Sequence, residues 1–289
     1  MKAAVLSTLL TLTFAAAPAA SAAPVRIVAA ENFYGDVAKQ IGGDAVAVTS
    51  ILANPDDDPH LFEASVQTAK AVADAQVAIE NGVGYDTWME KLLKAHKAPN
   101  RREIDVGALA GRRPGDNPHL WYDPANMKAV GKALGAALAA LVPAHRSDYL
   151  QGEARFAESL KPLEAKIGDM RTKFMGTPVA ASEPVFGYMA ALLGLDVHGE
   201  KFALAVMNGA EPAASDVAAF EDALTGHKVK AMLFNAQASE PTVQRLVKIA
   251  KASGVPVVGV SETEPPGTAY QAWMLAQLDA LDAALSAAP

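Results

Sequence analysis

Apolar and polar positions in the first half of the chain predict strands and helices in regular succession. Short runs rich in β-branched residues predict four strands, at 25–30, 46–51, 77–81 and 103–106. Apolar residues three or four positions apart predict helices at 33–41, 65–73, 87–95 and from Pro124 onward. Asn32 is the predicted N-cap of the first helix. Strands that alternate with helices favour a parallel sheet with helices on both faces.

The same alternation returns in the second half of the chain. Apolar runs predict strands at 178–182, 229–234 and 256–260. Amphipathic stretches predict helices at 186–193, 215–224, 241–252 and 270–285. The second half is therefore predicted to fold as another α/β lobe.

A stretch without strand pattern separates the two halves. Apolar residues recur there on one helical face, at Tyr149, Phe156, Leu160, Leu163, Ile167, Met170 and Phe174. This spacing predicts a helix roughly 40 Å long, which Pro162 bends because an interior proline removes a hydrogen bond. The predicted fold is α/β, with two lobes, each a parallel sheet flanked by helices, joined by one long rigid helix. The predicted boundaries are 23–146 for the N-terminal lobe, 147–175 for the linking helix and 176–289 for the C-terminal lobe.

The first residues have the pattern of a secretory signal peptide. Lys2 precedes an apolar run, and the small residues at 20–22 suit a cleavage site, so residues 1–22 are expected to be removed on export. The chain contains no cysteine, which excludes disulfides, thiolate ligands and a lipid-modified N-terminal cysteine. The net charge of −7 argues against nucleic acid as a partner. We therefore expect a soluble, monomeric periplasmic protein without a lipid anchor.

Two proline-containing turns each present one histidine. The turn at 54–63 places His60 behind three aspartates, and the turn at 117–124 places His119 ahead of Leu, Trp and Tyr. The prolines keep both segments out of helix and sheet, and rigid turns suit a metal site because they place the ligands before the ion arrives. Either turn alone is more typical of an ordinary turn with a solvated histidine. The presence of both favours a metal site.

Two glutamates follow predicted strands of the second half, namely Glu183 and Glu262. Ligands of open parallel sheets bind beyond the carboxyl ends of the strands, so both glutamates are predicted to face one inter-lobe cleft with His60 and His119. Two imidazoles and two carboxylates suit divalent manganese, iron or zinc. The alternative is that Glu183 is an acid at a helix N-terminus and that Glu262 is a solvated loop carboxylate.

The order of these segments resembles the metal-binding proteins that serve ABC importers of zinc and manganese. The segments concerned are Asp-Pro-His at 58–60, Asn-Gly-Val-Gly-Tyr-Asp-Thr-Trp at 81–88, Asn-Pro-His-Leu-Trp-Tyr-Asp-Pro at 117–124, Ser-Glu at 182–183 with Phe-Gly-Tyr at 186–188, and Val-Ser-Glu at 260–262. The long central helix is similar to the backbone helix of that family. The resemblance implies that His60, His119, Glu183 and Glu262 bind a transported ion. It also implies delivery of that ion to the membrane permease of an ABC importer.

Two ligand positions and one loop differ from the zinc-type relatives. Those relatives usually carry a third histidine where this chain has Glu183, which resembles the manganese- and iron-type relatives. The fourth ligand of the family is usually aspartate, and Glu262 is one methylene longer, so direct ligation by Glu262 is the least supported of the four. Many zinc-type members also carry a His-rich loop, whereas residues 95–116 contain only His96. Glu183 and the missing His-rich loop favour manganese, although zinc often binds such ligand sets more tightly in vitro. The expected ion is manganese or zinc, with iron as a further candidate.

Three residues beside the histidines are predicted to orient the ligands, namely Asp58, Tyr122 and Asp123. Asp58 alternatively belongs to a solvated acidic turn, since three aspartates stand in a row at 56–58. Asp123 alternatively caps the helix that follows it.

The rival function is an exported metallohydrolase with a site of two histidines and two carboxylates. Such an enzyme needs an open coordination position and a base that activates water. The sequence contains neither a His-Glu-x-x-His helix nor a Gly-x-Ser-x-Gly elbow. We therefore expect a binding protein without catalytic residues.

Overall fold

The computed structural model describes residues 23–55, 62–237 and 240–287, which form two four-stranded parallel sheets. The first sheet has the order β2-β1-β3-β4 and contains β1 (Val25–Glu31), β2 (Val46–Leu52), β3 (Val77–Glu80) and β4 (Arg102–Asp105). The second has the order β6-β5-β7-β8 and contains β5 (Pro178–Ala181), β6 (Asp196–His198), β7 (Met232–Asn235) and β8 (Val257–Val260). The predicted two-lobed α/β fold is confirmed.

Helices connect successive strands and cover the sheets. The first lobe contains α1 (Asn32–Gly42), α2 (Val66–Asp74), α3 (Thr87–Ala95), α4 (Val106–Leu109) and α5 (Pro124–Leu141). The chain then crosses to the second lobe through α6 (Arg146–Ser159) and α7 (Lys161–Phe174). The second lobe contains α8 (Gly187–Leu193), α9 (Glu200–Met207), α10 (Ala214–Thr225), α11 (Pro241–Ala252) and α12 (Tyr270–Ala287). None of the helices in the described ranges has both the length and the apolar character needed to cross a bilayer.

The linking helix consists of two helices that share one buried face. α6 ends at Ser159 and α7 begins at Lys161, so Pro162 lies in the first turn of α7, where its missing N–H is not needed. Leu160 keeps helical backbone angles, and its carbonyl accepts a hydrogen bond from the Glu164 backbone at 3.0 Å. Leu160 is buried with its neighbours on the predicted apolar face. The proline therefore interrupts the helix without turning its apolar face away from the core.

The predicted capping role of Asn32 is wrong. The N-cap of α1 is Glu31, and Asn32 is the first helical residue. The Asn32 side chain instead bonds the backbone of Glu264 in the second lobe. Its Nδ2 donates to the Glu264 carbonyl at 2.7 Å, and its Oδ1 accepts from the Glu264 N–H at 3.1 Å. An interaction between distant segments has replaced the local cap.

The sequence pattern does not predict two short elements of the second lobe, β6 and α9. β6 has only three residues, of which Asp196 and Val197 are exposed, so no apolar run marks it. α9 has eight residues, and Gly199 precedes it in a left-handed conformation instead of a side-chain cap. Elements this short lack the periodicity from which a strand or helix is recognised.

The largest hydrophobic cluster in the described part of the chain contains residues of both lobes. At its centre the Phe33 ring of α1 stacks on Trp121 at 4.5 Å and on Trp273 of α12 at 5.8 Å between ring centroids. The Tyr270 hydroxyl of α12 donates to the Trp121 carbonyl at 2.6 Å. The closing helix is therefore packed on first-lobe residues, and we expect the lobes to behave as one body.

Candidate metal centre

His119 lies in the turn before α5, and its side chain is fully buried. The Asn117 Oδ1 accepts hydrogen bonds from the His119 backbone N–H at 3.0 Å and from ring Nδ1 at 2.7 Å. The orientation of the Asn117 amide follows from its Nδ2, which donates to the Pro184 carbonyl at 2.7 Å. Because a carbonyl oxygen only accepts, Nδ1 carries a proton, and in the neutral ring Nε2 is then the nitrogen with the lone pair. His119 thus presents Nε2 as a nitrogen donor to a cation.

The loop after β3 holds the His119 turn in place through hydrogen bonds. The Asn81 Nδ2 donates to the Pro118 carbonyl at 2.9 Å, and the Tyr34 hydroxyl donates to the Asn81 Oδ1 at 2.7 Å. Asp86 accepts from the backbone N–H groups of Asn81 and Gly82 at 2.7 and 2.8 Å. The segment at 81–88 therefore has a structural role, which is to hold the histidine turn.

Glu262 follows β8 and is only 1% exposed. Its Oε2 accepts a hydrogen bond from the Tyr85 hydroxyl at 2.9 Å and lies 3.3 Å from the His119 Nε2. Its Oε1 accepts from the Asn235 Nδ2 at 2.6 Å. Both carboxylate oxygens are therefore held by neutral donors in a buried inter-lobe position.

Glu183 follows β5 and is 6% exposed. Its Oε2 lies 3.3 Å from the same Asn235 Nδ2 that binds Glu262. The orientation of the Asn235 amide is set because its Oδ1 accepts from the Gln237 backbone N–H at 3.0 Å. One amide group thus holds two carboxylates side by side. Glu183 also borders a cavity of about 590 Å³ between the lobes, which Arg112 and Asn117 line from the first lobe.

The contact between His119 and Glu262 needs a positive charge. In the neutral ring, the lone pair on Nε2 faces the Glu262 Oε2 at 3.3 Å. Both atoms are then acceptors, and they repel each other unless a cation or a proton lies between them. Tyr85 does not become a second anion here. Burial, together with the Glu262 charge, raises the pKa of Tyr85 well above its usual value, so the phenol keeps its proton and donates. The arrangement therefore suits cation binding.

The structure brings three of the four predicted ligands together in linked pairs. His119 contacts Glu262, and Glu262 is linked to Glu183 through Asn235. His60 and Asp58 lie outside the described residues. Across 23–55, 62–237 and 240–287, no three His, Asp or Glu side chains are close enough to form a metal site by themselves. The three described candidates thus lie near one another without forming a complete coordination shell.

The two neighbours predicted to orient His119 have other partners. The Tyr122 hydroxyl lies 2.6 Å from the Ser261 carbonyl and joins the lobes. Asp123 caps α5 by accepting from the Ala125 N–H at 2.9 Å. Asn117 is the residue that holds the His119 ring, and its position two residues before the histidine is the local signal that could have identified it. Asn235 has no such local signal.

The sequence of the chain matches the model of one protein family. The model of the family described as zinc-uptake complex component A, periplasmic, matches residues 27–284. The manganese ABC transporter substrate-binding lipoprotein PsaA of Streptococcus mitis is 25% identical over 195 residues, which are 61% of this chain and 62% of the lipoprotein. The match to this and two other curated relatives thus spans about three fifths of each relative's length.

Solved structures show the same fold over nearly their full length. The periplasmic zinc-binding protein TroA of Treponema pallidum superposes with a TM-score of 0.77 at 20% identity, covering 91% of this chain and 99% of TroA. The Mn2+ complex of the binding protein FpvC from Pseudomonas aeruginosa gives a TM-score of 0.73 at 22% identity, with 91% and 98% covered. At these identities the likeness establishes the fold alone.

Proposed function

This chain belongs to the family of periplasmic zinc-uptake components, and on that premise we propose that it is a binding protein for a divalent transition metal. In this proposal it captures one ion between its two lobes and delivers it to the membrane permease of an ABC importer. The observation that carries the proposal is the buried contact between the His119 Nε2 and the Glu262 Oε2 at 3.3 Å.

The proposed ligands are His60, His119, Glu183 and Glu262. The last three are supported by their buried inter-lobe positions and by the orientation of the His119 ring. His60 is supported by the sequence alone, through its Pro-His turn. Two imidazoles and two carboxylates give a mixed nitrogen and oxygen set, which suits manganese or zinc and also accommodates iron. Because the imidazoles must be neutral to bind a metal ion, the affinity is expected to fall at acidic pH.

The protein acts by binding and not by catalysis in this proposal. The Tyr85 hydroxyl and the Asn235 amide donate to Glu262, and neither group is a base that would activate water. The expected behaviour is reversible uptake of one ion per chain without turnover. A metallohydrolase with the same ligands would instead release product in excess of its bound metal.

The proposed location is the periplasm, after removal of residues 1–22. The apolar run near the N-terminus supports export. Because the sequence contains no cysteine, we propose a form without the lipid-modified cysteine of a lipoprotein such as PsaA. We also propose that the protein is a monomer.

Calorimetric titration of the metal-free mature chain with Mn2+ and with Zn2+ tests this function. The expected result is one ion per chain and a metal-dependent rise in melting temperature. His145→Ala provides a matched control, because His145 is an exposed histidine paired with Asp148 at 3.2 Å. Absence of binding by the unmodified chain would refute the function.

A further inference from the structure

The two sheets place a glutamate at the same topological position. In both sheets the first strand of the lobe lies between the second and the third, as the orders β2-β1-β3-β4 and β6-β5-β7-β8 show. The connections that leave the first and the third strand run to opposite sides of the sheet, so the carboxyl ends of these two strands form the switch point where open parallel sheets bind ligands. Glu31 is the last residue of β1, and Glu183 follows β5 by two residues.

Strand register makes the two positions equivalent. Ala29 of β1 is paired with Ile79 of β3, and Ala181 of β5 is paired with Leu233 of β7. When both registers are continued by two residues, Glu31 lies opposite Asn81, and Glu183 lies opposite Asn235. Each lobe therefore has a Glu–Asn pair at its switch point.

Only one of the two pairs is joined by a hydrogen bond. The Asn235 amide reaches Glu183, whereas the Asn81 amide donates to the Pro118 carbonyl and to the Gly82 carbonyl. Glu31 is 2% exposed, and neither of its carboxylate oxygens has a hydrogen-bond partner among the described residues. Buried polar groups are nearly always paired, so a buried carboxyl group with both oxygens unpaired needs an explanation.

Glu31 lies on the side of the first lobe that meets the Glu262 loop. The next residue, Asn32, binds both backbone groups of Glu264, two residues beyond Glu262. Glu31 is therefore adjacent in the chain to the residue that joins the end of β1 to the loop carrying Glu262.

We propose that Glu31 is a further metal-binding residue, the first-lobe counterpart of Glu183, whose carboxylate binds the ion captured in the cleft. This inference rests on the proposed function. A fifth protein ligand serves an ion that takes more than four ligands and prefers carboxylates, such as Mn2+. Tetrahedral zinc is satisfied by two histidines and two carboxylates. A carboxylate at position 31 therefore favours Mn2+ over Zn2+ as the transported ion.

Glu31→Gln in the mature chain tests this role, because glutamine keeps the size of the side chain and removes its charge. We expect the affinity for Mn2+ to fall at least about tenfold. The affinity for Zn2+ is expected to fall clearly less, because zinc does not need the fifth ligand.

Glu80→Gln is the matched control. Glu80 ends the neighbouring strand β3 and also has a buried oxygen without a partner in the described part of the chain. Glu80 follows Ile79, so it points to the opposite face of the sheet from Glu31. The control variant should bind Mn2+ as the unmodified chain does.

Three results would overturn the role of Glu31. They are unchanged Mn2+ affinity in Glu31→Gln, equal losses for Mn2+ and Zn2+, and an equal loss of Mn2+ affinity in Glu80→Gln. If Glu31→Gln does not fold, Glu31→Asp replaces it, and its shorter carboxylate should still weaken Mn2+ more than Zn2+. Failure of the unmodified chain to bind any metal would refute the proposed function itself, which distinguishes the two failures.

Discussion

The two lobes have the same sheet order but contribute to the centre in different ways. The first lobe supplies a nitrogen donor whose ring is held by Asn117. The second supplies two carboxylates that share the Asn235 amide. Each arrangement also depends on the other lobe, because Asn117 donates to the Pro184 carbonyl and Tyr85 donates to Glu262. In the proposed metal centre, Asn117 orients the imidazole before an ion binds, whereas the carboxylates are held by donors that a bound ion would replace.

Substitution of His119 should have the largest effect on metal binding. His119→Ala removes the only described nitrogen donor among the proposed ligands. We expect the affinity to fall by more than about 100-fold, since even residues that support ligands account for about 10- to 100-fold. Calorimetric titration measures the change, with His145→Ala as the control. Full uptake by His119→Ala would mean that the centre lies elsewhere.

The two supporting asparagines should have opposite effects on metal-induced stabilisation. Asn117→Ala frees the His119 ring, so we expect about 10-fold weaker binding and a smaller metal-induced rise in melting temperature. Asn235→Ala leaves two buried carboxylates without their shared donor, which destabilises the metal-free protein by about 1–3 kcal/mol. A bound cation then compensates for the lost donor, so the metal-induced rise should become larger.

Thermal melts with and without Mn2+ separate these two cases. Asn208→Ala is the control, because the Asn208 side chain donates to the carbonyl of Leu204 at an exposed helix end. The contrary result is that both asparagine variants change the metal-induced rise in melting temperature in the same direction. That result would contradict the proposal that Asn117 orients the imidazole while a bound ion replaces the donor of the carboxylates.

The metal-free protein should become less stable as the pH rises. Burial and the Asp36 charge raise the pKa of Glu264 to about 9, and burial with nearby carboxylates raises the pKa of Glu80 to about 8. Both values lie above the unfolded value of about 4.3, so the folded chain binds more protons than the unfolded chain at intermediate pH. The resulting stability is fully present below about pH 4 and is lost as the pH rises through about 8 to 9.

Melting temperatures between pH 6 and pH 9, measured with a chelator, test this dependence. Glu264→Gln should remove the part of the fall in melting temperature that comes from Glu264. Glu80→Gln should remove the part that comes from Glu80. An unaltered slope in the variant that carries both substitutions would contradict the assignment.

The smallest expected effect concerns the overall shape. The largest described hydrophobic cluster contains residues of both lobes, and α6 and α7 keep a continuous apolar face across Leu160. We therefore expect metal to cause a local rearrangement near Glu262 and almost no change in the radius measured by small-angle scattering. A large decrease on addition of Mn2+ would show that the lobes move as separate bodies.

The order of strands and helices could be predicted because both repeat short apolar patterns that are visible in the sequence. The contacts within the centre depend on strand register and lobe packing, which a linear pattern does not contain. Asn235 lies 52 residues from Glu183, and His119 lies 143 residues from Glu262. Asn32 illustrates the same limit, since its sequence position suggests a cap while its side chain joins the lobes. Glu31 becomes a candidate only once the registers of both sheets are known.

The central claim is that side chains from both lobes bind one metal ion. Anomalous diffraction from crystals grown with Zn2+ tests it most directly, because the peak locates the ion without assumptions about affinity. The account predicts one strong peak between the lobes, about 2.0–2.2 Å from the His119 Nε2 and from oxygens of Glu183 and Glu262. A peak bound to residues of one lobe alone, or no peak in the cleft, would contradict it.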